Sequence, residues 1–241
     1  MFFGTGIDPR VIRAIFIILI VYSLASMSRE AWLGILYTLP AVVLSITMHE
    51  YAHAAVAVHF GDNTPKQEGR LTLNPIKHFE WLGFIMLMFT HIGWGRPVRV
   101  NTSAFVGNKS PRFCEAMVAL AGPMMNFLLA IVFTILLYVI KLFAPTNLIF
   151  FYLFNVCYVG GIVNVGMGIF NLIPIYPLDG EKIFKQFLPA KWRMFLQKNY
   201  QTICLIFFIL WITPVLSTII SPVIDTIYKG LLMLIGKVFG V

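Results

Sequence analysis

Residues 32–58 read WLGILYTLPAVVLSITMHEYAHAAVAV and determine which kind of fold the chain can adopt. A helix that crosses the hydrocarbon core of a bilayer needs about 20 mostly apolar residues, and this stretch is long enough to provide them. Its second half nevertheless contains two histidines and a glutamate, which are costly inside a bilayer and therefore indicate a functional site. The stretch predicts a membrane-spanning helix that carries chemically active side chains.

The composition of the whole chain agrees with a membrane protein. The chain has 241 residues, of which 59% are hydrophobic and 12% are charged, whereas a soluble domain has about 45–50% apolar and about 25% charged residues. Too few polar side chains remain to cover a surface in water, which excludes a soluble domain, a disordered chain and a nucleic-acid-binding protein. We interpret the formal net charge of +8 as charge that lies beside a lipid bilayer.

The hydropathy pattern predicts an all-α membrane protein in which residues 1–241 form a single polytopic domain. Six spans are expected, at about 11–28, 32–58, 113–140, 148–177, 203–221 and 223–240. Asp225, Lys229 and Lys237 interrupt the last of these spans. The first span could instead be a signal peptide, since two arginines precede its apolar run.

The distribution of basic residues predicts the orientation in the cell membrane. Segment 59–112 carries seven Lys and Arg residues and segment 179–199 carries five, which together make twelve of the 18 in the chain. Because loops rich in Lys and Arg stay in the cytoplasm, both segments are expected on that side. Six spans then place both termini in the cytoplasm, and the active site should be reached from the same side.

The polar region between the second and third spans is predicted to contain non-helical structure. An apolar run at 82–94 is too short to cross and is expected to form a re-entrant loop, which requires cover by protein or water. The pieces RLTLN (70–74) and RPVRVN (96–101) alternate polar with apolar or β-branched residues, as strands do. They predict a short membrane-associated β-hairpin, with Pro97 confining the second strand to an edge.

An exposed strand edge beside a membrane would suit the binding of an extended peptide. A transmembrane helix hides its amides in internal hydrogen bonds, so an unwound segment would need new partners. Pairing with a free edge supplies them. Val98 and Val100 are therefore candidate substrate-binding residues.

The second span contains His49, Glu50 and His53 in the arrangement HExxH. On a helix, His49 and His53 lie about 40° apart on one face and one turn from each other. Two imidazoles placed in this way can bind one zinc ion, and Glu50 on the adjacent stripe can serve as general base. The alternatives are two hydrogen-bonded histidines buried between helices, or a structural zinc site.

A hydrolytic zinc site needs a third protein ligand, for which spacing leaves four candidates. His59 follows at a spacing known from soluble metalloproteases, but on a continuous helix it would face away from His53. Glu68 and Glu80 lie in the polar loop. Asp179 is the fourth candidate.

Asp179 ends the sequence NLIPIYPLDG, residues 171–180, after the fourth span. Pro174 and Pro177 predict an interrupted helix end that could direct a carboxylate inward. Spacing alone does not distinguish this role from that of a solvated residue at a helix end. Asn171 in this motif would either clamp the backbone at the interrupted helix end or contact the substrate. Asn126 within the third span would either form a hydrogen bond between helices or contact the substrate or the transition state.

These motifs together resemble those of the site-2 proteases, a family of zinc intramembrane metalloproteases. The resemblance rests on HEYAH (49–53), NLIPIYPLDG (171–180) and AGPMMN (121–126), and it extends over about residues 35–200. RLTLNPIKH (70–78) and GWGRPVRVN (93–101) look like the compact bacterial branch. The resemblance implies one zinc ion per chain, held by His49, His53 and Asp179, with Glu50 as general base.

The resemblance also implies an activity. Such an enzyme hydrolyses peptide bonds within or near transmembrane segments, in regulated intramembrane proteolysis of a membrane protein or a remnant signal peptide. No PDZ module interrupts the chain and no CBS pair follows residue 200, so regulation by those modules is not expected. The alternatives are a catalytically inactive relative that binds helices, and a divalent-metal transporter.

Overall fold

The computed structural model describes residues 18, 21–22, 25–81, 83–85 and 95–240, without the side chain of residue 212. Its α-helices, in chain order, are α1 (Arg29–His59), α2 (Thr64–Gln67), α3 (Pro111–Phe143), α4 (Leu148–Asn171), α5 (Asp179–Phe184), α6 (Ala190–Lys198), α7 (Tyr200–Ile212) and α8 (Pro214–Val238). Two short 3₁₀ turns, Pro75–Lys77 and Thr102–Ala104, lie between α2 and α3.

Four of the described helices, α1, α3, α4 and α8, are long and apolar enough to cross a membrane. The prediction of a helical membrane protein is therefore confirmed, but the count of six spans is not. The predicted spans 32–58, 113–140 and 148–177 correspond to α1, α3 and α4, although α4 ends earlier than expected, at Asn171. The predicted span 11–28 lies largely outside the described residues.

The boundaries predicted for the last two spans, 203–221 and 223–240, are wrong. The chain breaks at Thr213, which is extended, and α8 begins at Pro214. Proline disfavours the helical conformation in the residue before it and is well tolerated at the first helical position, where no N–H partner is needed. Pro222, where the sequence suggested a boundary, lies inside α8, and the apolar helix before the break, α7, has only 13 residues.

The predicted β-hairpin is also wrong, because neither 70–74 nor 96–101 forms a strand. Within the described residues the pairing is limited to an isolated antiparallel bridge between Phe79 and Gly95. The predicted re-entrant run at 82–94 falls mostly on residues that are not described. Segment 96–101 does keep an alternating exposure, since Val98 and Val100 are half-buried between exposed neighbours.

Side chains, rather than a partner strand, bind the backbone of this region. The Arg70 guanidinium donates to the carbonyls of Lys77 and Arg96. The buried Asp62 carboxylate accepts the N–H of Asn101 at 2.7 Å. The bonds to the Arg96 carbonyl and the Asn101 N–H take backbone groups that the predicted sheet would have used, which agrees with the absence of a ladder in this part of the described chain.

The helices that carry the site pack closely because glycines lie where they cross. α3 packs against both α1 and α4, and one core cluster contains Ala41 of α1, Phe133 of α3 and Cys157 of α4. A Cβ built on Gly160 would lie 2.8 Å from the Phe133 ring, and one on Gly161 would lie 2.4 Å from the Tyr228 ring. Small residues that let helices approach are typical of membrane bundles.

Candidate metal centre

Two histidines of α1 and the first residue of α5 meet in the interior of the bundle. His49 Nε2 and His53 Nε2 lie 3.0 Å apart, and they lie 3.2 Å and 3.1 Å from Asp179 Oδ2. The three residues are 6–8% exposed. Among the described residues, they form the group of His, Cys, Asp or Glu side chains whose donor atoms are close enough together to hold a metal ion.

The hydrogen bonds behind the imidazoles show which atoms face the cluster. His53 Nδ1 lies 2.7 Å from the carbonyl oxygen of Val118. A carbonyl can only accept, so Nδ1 carries the proton and the lone pair of Nε2 points towards Asp179. His49 Nδ1 lies 2.6 Å from Asn126 Oδ1. With the proton on Nδ1, the lone pair of His49 Nε2 also points towards Asp179.

This donor set fits a catalytic metal site. Two nitrogen lone pairs and a carboxylate oxygen converge within 3.2 Å, and such an arrangement repels itself unless a positive charge lies among the three atoms. Two imidazoles and one carboxylate are ligands that zinc accepts, and three protein ligands leave one coordination position open for a reactant.

Gly122 of α3 explains how the two imidazole rings fit against the neighbouring helix. A Cβ built on this glycine would lie 2.4 Å from His53 Nε2 and 2.6 Å from His49 Cε1. The α3 backbone therefore forms a wall of the site. Any larger residue would have to displace both rings.

Asp179 reaches the histidines because the chain turns back after α4. α4 ends at Asn171, and a series of turns leads to α5, whose first residue is Asp179. A Cβ on Gly180 would lie 2.3 Å from the Ile173 carbonyl, so the turn is too tight for a side chain at this position. Lys185, directly after α5, pairs with Glu115 of α3 at 3.7 Å and connects this end of the turn to the bundle.

The carboxylate of Asp179 is ionised in this environment. Burial raises the pKa of Asp179, but the positive charge that His53 and His49 carry when protonated, together with their hydrogen bonds, outweighs burial and holds this pKa well below its ordinary value. With neutral imidazoles, a metal cation among the three atoms would act on the carboxylate in the same direction. Lys182, one turn later on α5, lies 3.9 Å from the other carboxylate oxygen. Asp179 can therefore present a charged oxygen to a cation.

Glu50, next to the cluster on α1, is buried and accepts a backbone hydrogen bond. The N–H of Val98 donates to its Oε2 at 3.0 Å. Arg70 donates to the carbonyl of Arg96, which lies two residues before Val98, and so holds this part of the segment in place. The non-helical segment 96–101 is thus fixed directly against the candidate general base.

Asn126 lies behind His49 rather than on an open surface. Its Oδ1 accepts a hydrogen bond from His49 Nδ1, and its Nδ2 donates to Asn164 Oδ1 at 3.0 Å. Both asparagines are fully buried. With both polar ends engaged inside the protein, the environment of Asn126 favours a site-orienting role over direct substrate contact.

The remaining residues of the NLIPIYPLDG motif lie on the turn before Asp179. Asn171 donates to the carbonyl of Met167, one turn earlier on α4, at 3.0 Å. Pro174 and Pro177 are exposed, and neither belongs to a helix. All three residues shape the chain that delivers Asp179, and the structure does not bring them into the metal-binding group itself.

The other candidates for a third ligand lie elsewhere. His59 is exposed at the last position of α1 and packs against the Phe60 ring. Glu68 pairs with Arg99 at 3.5 Å, and Glu80 accepts the N–H of Gly83 at 2.7 Å. Of the four candidates, Asp179 is the one that lies with His49 and His53 in the possible metal-binding group of the described residues.

Three residues around the site were not predicted from the sequence. Asp62 and Arg70 anchor segment 96–101, and Asn164 bonds Asn126. An amide in the apolar run of the fourth span was a usable signal for Asn164, because buried polar groups in membranes need partners. No local pattern distinguishes Asp62 or Arg70 from solvated loop residues.

Replacing Gly122 by alanine should abolish metal binding. The new methyl group would occupy the space of both imidazole rings, and the α3 backbone cannot retreat without repacking the bundle core. The matched control is Gly230→Ala on α8, where a Cβ meets nothing within 4 Å. Metal analysis of the purified variants should find wild-type content in Gly230→Ala and none in Gly122→Ala. Equal content in both would contradict the geometry described here.

Comparison with known proteins identifies the family. The profile of peptidase family M50 matches residues 37–152 and 139–214. A Bacillus subtilis protein named as a zinc metalloprotease, YwhC, is 35% identical over 208 residues, which cover 84% of this chain and 92% of that protein. Rip2 of Mycolicibacterium smegmatis, also named as a zinc metalloprotease, is 31% identical over 182 residues, which cover 73% of this chain and 66% of that protein. No solved structure matches the chain.

The family match includes both motifs that supply the buried cluster, and it confirms the resemblance found in the sequence. Together with the apolar helices, it establishes a membrane metalloprotease. The chain belongs to peptidase family M50, the site-2 protease family.

Proposed function

We propose that the chain is a zinc-dependent endopeptidase that cuts within or near the transmembrane segments of membrane proteins. The observation that carries this proposal is the buried contact of His49, His53 and Asp179 between helices long enough to span a bilayer. The substrate is a membrane protein with a transmembrane helix, or a remnant signal peptide, that is cut in regulated intramembrane proteolysis. The names of the relatives support the class of activity.

One zinc ion per chain would be held by His49, His53 and Asp179. The Nε2 lone pairs and the ionised carboxylate supply the ligand atoms, and the bonds behind the imidazoles keep them directed inward. When bound, zinc polarises the carbonyl of the scissile bond and makes water easier to deprotonate.

Glu50 is assigned as the general base. It takes a proton from the attacking water and later donates it to the nitrogen of the leaving amine, so its own charge is restored after each turnover. Its position one residue after His49 puts it beside the metal ligands, and its burial keeps bulk water from competing for the proton. The Val98 N–H fixes the orientation of its carboxylate.

Segment 96–101 is proposed to bind the unwound substrate. The alternating exposure of segment 96–101 is that of an extended chain, in which alternate residues direct their backbone groups to the same side. The N–H and C=O of Val100 are then expected on the side on which Val98 meets Glu50. Within the described residues, neither group of Val100 has a hydrogen-bonding partner. An extended substrate can therefore add to this segment beside the general base, even though the segment is not part of a sheet.

The cytoplasm is the proposed side of access, with both termini on the same side of the cell membrane. The support is the concentration of Lys and Arg in segments 59–112 and 179–199, which flank the two metal-ligand motifs. His53 lies less than two turns before the end of α1, and Asp179 follows the end of α4. Water would therefore have a short path to the site.

Replacing Glu50 by glutamine tests the proposed reaction. Glutamine keeps the size and accepts the Val98 N–H but cannot take up a proton, so cleavage of a fluorogenic transmembrane peptide should fall by about 10²–10⁴-fold. Zinc content should stay at one ion per chain. Removal of zinc with a chelator should abolish cleavage in the wild-type protein, and added zinc should restore it.

Two other outcomes would replace the proposal. An inactive relative that binds helices would bind the peptide in a zinc-dependent way but leave it uncut in the wild-type protein. A transporter would carry divalent metal across liposome membranes, and Glu50→Gln would leave the peptide assay unchanged.

Replacing Val100 by proline tests the proposed substrate contact. Proline removes the free N–H while its backbone conformation suits an extended chain, so cleavage should fall by at least about tenfold, the equivalent of roughly one hydrogen bond. Zinc content should not change, because Val100 lies outside the metal cluster. Val100→Ala is the matched control, since it trims the side chain but keeps the N–H.

Val98→Pro should impair cleavage for a different reason, because it removes the hydrogen bond that orients Glu50. Wild-type turnover in Val100→Pro, or an equal loss in Val100→Ala, would rule out a backbone contact at this position.

A further inference from the structure

We propose that Asn164 of α4 is a positioning residue that fixes the protonated nitrogen of His49 through Asn126. Three hydrogen bonds link the residues: His49 Nδ1 to Asn126 Oδ1 at 2.6 Å, Asn126 Nδ2 to Asn164 Oδ1 at 3.0 Å, and Asn164 Nδ2 to the Gly160 carbonyl at 2.8 Å. We call these three bonds the relay; it connects α4, through α3, to a proposed metal ligand on α1. The inference rests on the proposed zinc site.

The direction of this relay is set at its far end. The Gly160 carbonyl can only accept a hydrogen bond, so the NH₂ group of Asn164 must point to it. The oxygen of Asn164 then faces Asn126 and requires the NH₂ group of that residue. The oxygen of Asn126 is left to face His49, which must therefore carry its proton on Nδ1.

No other orientation of the two amides satisfies all three contacts. Turning either amide would bring two oxygens or two NH₂ groups together in a place without water, since both asparagines are 0% exposed. A buried polar group without its partner is costly to the fold. The relay is therefore a directional constraint, and the backbone of α4 decides the protonation of a ring on α1.

The constraint matters because the other tautomer of His49 would block the site. A proton on Nε2 would point into the gap between His49, His53 and Asp179, where the donor atoms are only 3.0–3.2 Å apart. Binding a cation would first require that proton to leave. A histidine already protonated on Nδ1 offers its Nε2 lone pair without rearrangement, as is usual when a second residue orients a metal ligand.

Asn155 provides a matched control on the same helix. Like Asn164, it donates to the carbonyl four residues earlier, that of Phe151, at 2.7 Å. Within the described part of the chain, its side chain makes no second bond of the kind that joins Asn164 to Asn126. Leucine has the same number of side-chain heavy atoms and the same branching as asparagine, and at either position it removes the bond to the helix carbonyl.

The test measures zinc affinity by chelator competition in purified Asn164→Leu and Asn155→Leu. Asn164→Leu should bind zinc about 10–100-fold more weakly than wild type, as expected for losing an outer partner of a metal ligand, and Asn155→Leu should bind like wild type. Asn164→Asp should recover most of the affinity. In its protonated form the new carboxyl group can donate to Gly160 and accept from Asn126, as asparagine does.

A spectroscopic measurement separates a directional role from a structural one. The chain has five histidines, so the ¹⁵N spectrum of histidine-labelled, zinc-free protein at alkaline pH is simple enough to identify His49 with a His49→Gln variant. His49 should carry its proton on Nδ1 in wild type and in Asn155→Leu, whereas in Asn164→Leu the proton should exchange between Nδ1 and Nε2.

Two results would count against different parts of the account. If Asn164→Leu keeps wild-type zinc affinity and the Nδ1 proton of His49, the relay has no positioning role, although the proposed zinc site stands. If the wild-type protein itself fails to bind zinc, the proposed function is wrong, whatever the tautomer of His49.

Discussion

The structure depends on the close approach of two imidazole nitrogens and one carboxylate oxygen in the buried interior of the helix bundle. His49, His53 and Asp179 bring their donor atoms within 3.2 Å of each other at 6–8% exposure. Electron-rich atoms do not stay so close in a medium of low polarity unless a cation or a proton lies among them. The packing around the cluster can be understood as the means of holding these atoms at that distance.

Each neighbouring element supplies one part of this arrangement. Gly122 lets the α3 backbone touch both rings, and Gly180 lets the chain turn tightly enough to return Asp179. The Val118 carbonyl and Asn126 hold the outer nitrogens of the two rings. Segment 96–101 then adds a backbone N–H to Glu50, which brings the candidate general base and a free backbone edge to the same place.

The sequence predicted those parts of the site that depend on local geometry. His49, Glu50 and His53 follow from the helical repeat alone, because residues four apart share a face. Asp179 is 126 positions from His53 in the chain, and helical periodicity carries no information over that distance, so family resemblance was needed to select it. Asn164 gave the same signal as Asn126, an amide in an apolar span, but its partner could be identified only from the packing of α3 on α4.

The two wrong predictions, the β-hairpin and the boundary between the last two helices, have physical causes as well. An alternating pattern reports that every second residue of a segment is half-buried, and Val98 and Val100 are, but the pattern does not say what accepts the hydrogen bonds of the segment. Those acceptors are the carboxylates of Glu50 and Asp62, 48 and 39 positions from the amides they bind in the chain. Similarly, two prolines in the last apolar region gave two possible helix boundaries, and the chain breaks at Pro214 rather than Pro222.

X-ray absorption spectroscopy of the zinc-loaded protein tests the central claim most directly, because it counts the imidazoles around the metal. The account predicts two imidazoles with only nitrogen and oxygen ligands in the wild-type protein, and one imidazole in His53→Gln. Sulfur ligands, or two imidazoles remaining in His53→Gln, would contradict it.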